Sequence, residues 1–217
     1  MAFSEINTIS DLKKTIAQGE GIHIEFKHKI SDPVKVITEM IAFANTEGGH
    51  LIVGVDDNKS LVGLKFPEED KYELNKIIQR QCKPSLPHNV KMISVSEKKS
   101  ILVYTIPARR KRPHFLIQDD KKRCFVRSDH MTVQASREMK EIIRRSKTKK
   151  NIGFSWGDSE LLLMRYLDEH SVISLKELQR ITGLKKAIIS KKLILLVLTN
   201  VLKITPTEKE DVYSRVP

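Results

Sequence analysis

Three acidic residues near the start of the chain have the chemistry of a metal site. Glu25 lies in an alternating segment, residues 22–27, whose period of two places Glu25 and Lys27 on one face. Glu20 stands between two glycines that permit a turn or bulge towards Glu25, and Asp57 follows a short apolar run. Converging carboxylates repel one another unless a cation lies between them, and hard oxygen ligands suit Mg²⁺ or Mn²⁺. With Lys27 offsetting charge on a phosphoryl oxygen, this set predicts hydrolysis of a phosphodiester.

The same acidic residues also admit a structural interpretation. Glu25 can pair with Lys27, with His23 or with a basic loop, and Asp57 can cap its own turn. Asp56 is adjacent to Asp57 and is an alternative third ligand. At the level of sequence the catalytic and the structural interpretations both stand.

The elements that must position these residues follow from local signals. Asp32 and Pro33 are typical of a helix start, apolar residues then recur at helical spacing to residue 46, and Gly48-Gly49 can adopt the positive φ that ends a helix. Strands outnumber helices and several are hairpin-linked, which predicts an α/β fold of the α+β kind with a mixed sheet. The other predicted elements are helices over 9–18, 69–81 and 137–145 and strands over 22–27, 51–55, 61–66, 90–96, 101–107, 115–118 and 123–128.

Four segments occur in the order EGIHIEFK (20–27), AFANTEGGHLIVGVDD (42–57), FVR (125–127) and QAS (134–136). In this order they resemble the AlbA-like domain of the Schlafen group, which is widespread in bacterial regulators.

For the ribonucleases of that group, the resemblance implies a metal-dependent active centre formed by acidic residues at the positions of Glu20, Glu25 and Asp57. Those enzymes resemble two AlbA-like copies joined in one chain, whereas this sequence contains one copy. A homodimer could restore the paired arrangement.

The chain is strongly basic, because 39 Lys and Arg residues against 27 Asp and Glu residues give a formal net charge of +12. This balance favours a polyanionic partner, with nucleic acid as the first expectation. Two loops and an adjoining strand of the first domain concentrate the charge, and their alternative interpretation is a solvated surface. We expect these cations to contact phosphates: Arg109, Arg110, Lys111, Arg112, Lys121, Lys122, Arg123 and Arg127.

The composition predicts two domains of modest size. An AlbA-like domain is expected over residues 1–146 and a small winged helix-turn-helix domain over 158–217. A basic, glycine-containing linker over 147–157 separates them.

The pattern of the second domain predicts an amphipathic helix, a short capped helix that ends at Gly183, and then a basic helix from Lys185. Two strands over 201–204 and 212–215 would form the wing. Dimerisation through the aliphatic residues of the basic helix is the alternative use of such a domain. The residues expected to reach DNA are Lys185, Lys186, Ser190 and Lys191.

Several other functions lack their sequence signals. Cys82 and Cys124 have neither a C-x-x-C spacing nor histidines at finger spacing, which argues against a structural zinc site or a disulfide framework. No G-x-x-x-x-G-K-[ST] motif occurs, which argues against ATP as a ligand. The sequence shows no signal peptide and no apolar run that could span a membrane, so a cytoplasmic location is expected.

These observations favour a nucleic-acid-binding protein, specifically a DNA-binding transcription regulator. The expected partners are nucleic acid, either DNA or RNA, and a second copy of the chain in a homodimer; no membrane is expected. The alternative is a metal-dependent endoribonuclease that uses Glu20, Glu25, Lys27 and Asp57 with Mg²⁺ or Mn²⁺. A third hypothesis is an assembly module whose second domain binds protein.

Overall fold

The computed structural model describes residues 5–108, 113–146, 153 and 155–216. The chain divides into two units, Met1–Gln134 and Ala135–Pro217. The predicted boundary of the first domain was residue 146. The structure places the helix over 137–145 with the second unit instead.

The first unit begins with helix α1, Ile9–Gln18, where the side chains of Thr8 and Asp11 form a capping box. Strand β1, Ile24–Lys27, follows, and Gly19 ends the helix before it with a φ of +82°.

Helix α2 covers Pro33–Asn45 and joins two parallel strands. Asp32 Oδ1 accepts hydrogen bonds from the backbone N–H groups of Val34 and Lys35, which confirms the predicted cap. Strand β2, Gly48–Val53, then lies parallel to β1, so α2 is the crossover helix of a β-α-β unit.

The main sheet of this unit has four strands. Helix α3, Pro67–Gln81, is followed directly by the two-residue strand β3, Cys82–Lys83. Strands β4, Asn89–Ser96, and β5, Lys99–Pro107, come next. The strand order is β1-β2-β5-β4; the first pair is parallel and the other pairs are antiparallel. The predicted mixed sheet of an α+β fold is therefore confirmed.

Both faces of the central strands β2 and β5 are buried. One face of β2 and β5 carries Leu51 and Tyr104, which pack in one core with residues of α2 and α3. The other face carries Ile52 and Val103, which pack with Leu12 of α1 in a second core. A sheet covered on both faces explains why β2 reads as a nearly continuous apolar run.

Two small sheets complete the described part of the first unit. One contains β3, β6, Phe115–Gln118, and β7, Lys121–Arg123. The other is a hairpin of β8, Phe125–Ser128, and β9, Met131–Gln134.

Two predicted strands of the first unit were wrong. The segment 61–66 forms only isolated bridges. The segment 123–128 is divided at the buried Cys124 because its two halves pair with different partners.

The second unit contains four helices and three short strands among its described residues. Its strand Val212–Arg215 pairs antiparallel with both Ile173–Ser174 and Leu202–Thr205, and the core of the unit contains Leu167, Ile189, Leu193 and Tyr213. The elements are α4, Arg137–Arg145; α5, Asp158–Glu169; β10, Ile173–Ser174; α6, Leu175–Thr182; α7, Lys186–Leu198; β11, Leu202–Thr205; and β12, Val212–Arg215.

Among the residues described in both units, no helix combines the length and the apolar character that crossing a membrane requires.

Replacement of Gly49 by alanine should destabilise the first unit. The added Cβ would lie 2.5 Å from the carbonyl oxygen of His23 and 2.6 Å from Cδ1 of Phe43, both nearly fixed by the sheet and the core. We expect Gly49→Ala to lower the free energy of unfolding by about 1–3 kcal/mol in urea denaturation. Gly21→Ala is the matched control because a Cβ there meets nothing within 4 Å; equal losses in the two variants would contradict the prediction.

Candidate functional site

The carboxylate of Glu25 lies in a buried ion-pair cluster. The guanidinium of Arg127, on β8, places Nη1 3.0 Å from Glu25 Oε2 and 2.9 Å from Glu39 Oε2. The same guanidinium donates to the carbonyl oxygen of Gly21 at 2.6 Å and to Thr132 Oγ1 at 3.2 Å. One side chain thus joins β1, the segment before it, α2 and the β8–β9 hairpin.

Arg127 is therefore not available to a phosphate, and its predicted role in nucleic-acid binding was wrong. Its side chain has no exposed surface, and its guanidinium carbon lies 4.9 Å from the centre of the Phe43 ring. Its backbone N–H also donates to Thr46 Oγ1 at 2.9 Å, which fixes β8 against the end of α2. The basic residue serves the interior of the first unit.

The cluster is balanced in charge by the protein itself. The ammonium of Lys27 contacts the other oxygen of Glu25, so two cations, Lys27 and Arg127, face the two carboxylates of Glu25 and Glu39. This charge balance supplies the compensation that buried carboxylates need. A divalent cation is not required to hold them together.

The other predicted metal ligands have different surroundings. Glu20 Oε1 accepts a hydrogen bond from the backbone N–H of Phe26 at 2.8 Å, and Asp57 is exposed in its turn. Asp56 Oδ1 lies 3.3 Å from Nδ1 of His28. Across the residues that the structure describes, no three His, Cys, Asp or Glu side chains are grouped so that they could hold a metal ion. The donor set as arranged does not fit Mg²⁺ or Mn²⁺, and no hydrolytic step is derived from it.

Sequence reasoning missed Glu39 as a partner of Arg127. The signal was present, because Glu39 lies among apolar residues of a helix in which every residue from 36 to 45 except Thr38 is buried. A carboxylate within such a helix must have a cationic or hydrogen-bonding partner.

The predicted basic loops of the first unit are only partly described. Lys121 and Lys122 are exposed on β7, whereas Arg123 is half-buried and donates through Nη2 to Gln118 Oε1. Arg109, Arg110, Lys111 and Arg112 lie outside the described residues.

The second unit presents a helix, a tight turn and a basic helix. Ser174 Oγ accepts from the backbone N–H of Glu177 at 3.2 Å and begins α6, and Gly183 ends α6 with a φ of +68°. Lys185 then occupies the N-cap of α7, and Lys185, Lys186 and Lys191 are exposed. Apolar residues of the same helix, including Ile189 and Leu193, pack in the core.

Lys185 and Lys186 are not explained by the stability of α7. The positive end of the helix dipole disfavours cations in the first turn, yet that turn contains no acidic residue and the Lys185 side chain makes no capping hydrogen bond. In contrast, Lys192 is half-buried and lies 2.5 Å from Glu160 Oε1. The exposed lysines are therefore candidates for contact with an anionic partner.

Ser190 was predicted to reach DNA, and this was wrong. Its side chain is buried, and its hydroxyl donates to Glu138 Oε1 at 2.6 Å, which joins α7 to α4.

A second hydrogen bond joins the start of α4 to the segment that enters β12. The hydroxyl of Ser136 donates to Asp211 Oδ2 at 2.5 Å. The pKa of Asp211 is raised, mainly because the carboxyl is buried. The hydrogen bond from Ser136 lowers this pKa, and the nearby negative charge of Glu138 raises it further.

A cleft of about 230 Å³ lies beside the start of α7. Lys176, Lys186 and Lys209 line it, but so do the carboxylates of Glu138, Glu210 and Asp211. Lys176 lies 3.6 Å from Glu210. Because the cations and anions balance, the cleft is a poor site for a small anion, and of the three exposed lysines Lys185 and Lys191 lie outside it.

Residues 20–136 match the family model described as Schlafen, AlbA_2. The chain belongs to the Schlafen AlbA_2 family. The matched segment is more than half of the chain and contains the cluster around Arg127, so this buried charge network lies within the family domain.

Two solved structures are similar to parts of this chain. One is the solution structure of the N-terminal domain of a RecG-related protein from Nitrosomonas europaea, with 28% identity, a TM-score of 0.39, and coverage of 48% of this chain and 74% of that domain. The other is the DIP2311 protein from Corynebacterium diphtheriae, with 17% identity, a TM-score of 0.45, and coverage of 75% of this chain. This chain spans 33% of the length of the DIP2311 protein.

Replacement of Arg127 by methionine should destabilise the Schlafen AlbA_2 domain. The change leaves two buried carboxylates with one cation, Lys27, and we expect a loss of about 3–5 kcal/mol in the free energy of unfolding. Lys71→Met is the control because it removes an exposed pair with Glu68, with an expected change below about 1 kcal/mol. Urea denaturation measures both; a loss at Arg127 no larger than that at Lys71 would argue against a structural cluster.

Replacement of Asp211 by asparagine should stabilise the second unit near neutral pH. A carboxyl whose pKa is raised by folding destabilises the folded state as the pH rises above its ordinary value of about 3.9. Asparagine keeps an acceptor for Ser136 and cannot ionise, so the gain in thermal midpoint should be largest at pH 7 and disappear towards pH 3. Glu208→Gln at an exposed position is the control; a gain that does not depend on pH would refute the assignment.

Proposed function

We propose that this protein binds double-stranded DNA through α7 and acts as a transcription regulator. The observation that carries the proposal is the set of three exposed lysines at the start of a helix that follows a helix and a tight turn. The β11–β12 hairpin follows α7 directly, which supports the interpretation of a winged helix-turn-helix.

The arrangement suits insertion of α7 into a major groove. The core residues Ile189 and Leu193 hold one side of the helix, so the opposite side is free to approach a duplex. Lysine ammonium groups act as point charges and suit phosphates, which would position the helix with limited sequence information. The homodimer stays a prediction; it would place two such helices on paired half-sites.

The surroundings of Glu25 favour a structural role over metal-dependent cleavage. Arg127 and Lys27 already occupy its carboxylate, and the second carboxylate of the cluster, Glu39, was not among the predicted ligands. We therefore assign the Schlafen AlbA_2 domain a role other than hydrolysis in this proposal.

Neutralising the three lysines of α7 should weaken DNA binding and make it less sensitive to salt. Each phosphate contact contributes about 0.9 to the slope of log affinity against log salt on duplex DNA, so Lys185→Gln/Lys186→Gln/Lys191→Gln should reduce that slope by up to about 2.7. Fluorescence anisotropy with a labelled 30-base-pair duplex at several salt concentrations measures the effect.

The matched control removes three exposed lysines elsewhere: Lys13→Gln/Lys14→Gln/Lys98→Gln. It changes the net charge equally, so it should leave most of the slope intact. Equal slopes for the two triple variants would show that binding follows overall charge, and an unaltered slope in the α7 variant would exclude α7 from the interface.

Incubation with structured RNA and with single-stranded DNA tests the enzymatic alternative. We expect no cleavage in Mn²⁺ that is abolished by a chelator, because the carboxylates of the cluster are already paired. Chelator-sensitive cleavage that is lost in a folded Glu20→Gln variant would overturn the structural assignment and establish a nuclease.

A further inference from the structure

The outward side of α7 has an unusual composition. At about 100° per residue, Ala187, Ile188 and Lys191 share the side opposite the core residues Ile189 and Leu193. Ile188 is 42% exposed, although the core of the second unit is complete without it. A β-branched apolar residue is thus exposed between lysines near the start of this helix.

Lysine is the only side chain among the exposed residues of the first two turns that can hydrogen-bond to a base edge. Bidentate reading uses Asn or Gln for adenine and Arg or Lys for guanine, and the exposed residues of the first two turns are Lys186, Ala187, Ile188 and Lys191. The other contact by which these residues can distinguish base pairs in the major groove is apolar contact with the C5-methyl group of thymine. Ile188 has the shape and the exposure for this contact.

We infer that Ile188, with Ala187 beside it, contacts thymine methyl groups and gives α7 a preference for A·T base pairs. This inference rests on the proposed function, since it requires α7 to enter the major groove. The lysines position the helix on the phosphates, and Ile188 supplies the discrimination. Burial of one methyl group against an apolar side chain corresponds to about a fourfold gain in affinity.

The experiment compares duplexes that differ only in that methyl group. The full-length chain is titrated by fluorescence anisotropy into a 30-base-pair duplex of alternating adenine and thymine and into the same duplex with deoxyuridine in place of thymine. We expect about fourfold tighter binding to the thymine duplex. In Ile188→Ala this ratio should fall to about one, whereas in Lys191→Gln the affinity should fall equally on both duplexes.

Two further variants separate the assignment from nonspecific effects. Ile188→Val retains a β-branched surface and should retain most of the ratio, which guards against loss of folding in the alanine variant. Val172→Ala removes another exposed apolar side chain outside α7 and should leave the ratio unchanged.

The outcomes distinguish this inference from the proposed function. Equal affinity of the wild-type chain for the two duplexes would overturn the role of Ile188 and leave DNA binding intact. Absence of duplex binding would overturn the proposed function itself. Dissociation of a dimer by Ile188→Ala with an unchanged thymine-to-uridine ratio would assign the residue to a protein interface and would also overturn the inference.

Discussion

The pairing of one buried guanidinium with two buried carboxylates is the constraint on which the first unit depends. Arg127 holds Glu25 of β1 and Glu39 of α2, and it is held by the backbone of Gly21. Charges out of water are tolerated only where partners and hydrogen bonds compensate them, so these elements must keep their relative positions. The Schlafen AlbA_2 domain is therefore assembled around a charge network as well as around its two apolar cores.

This network also limits what the domain can do. A carboxylate that binds a catalytic cation needs free oxygen atoms facing an open position, whereas Glu25 contacts Lys27 with one oxygen and Arg127 with the other. Glu25 thus has a sufficient explanation in the stability of the domain. A motif can keep its residue types while its chemistry is used for structure.

The second unit shows the reverse relation between charge and stability. Lys185 and Lys186 stand at the helix end where the dipole opposes them, while Lys192 of the same helix is paired with Glu160. Local features that stability does not explain are the ones most readily assigned to binding. Ile188 near the start of α7 is a second such feature, because its exposed apolar side chain does not contribute to the core.

The sequence by itself determined the elements whose signals are local. Caps at Thr8, Asp32, Ser136 and Ser174 act over two or three residues, so helix positions were predicted closely, and the bounds of α1 and α4 were predicted to the residue. Tertiary structure alone decided which polar residues are buried. Arg127 and Glu25 are separated by 102 positions, and Ser190 and Glu138 by 52. A period of two or of 3.6 assigns a residue to a face but does not reveal what packs against it, so an arginine expected on the surface became the centre of the interior.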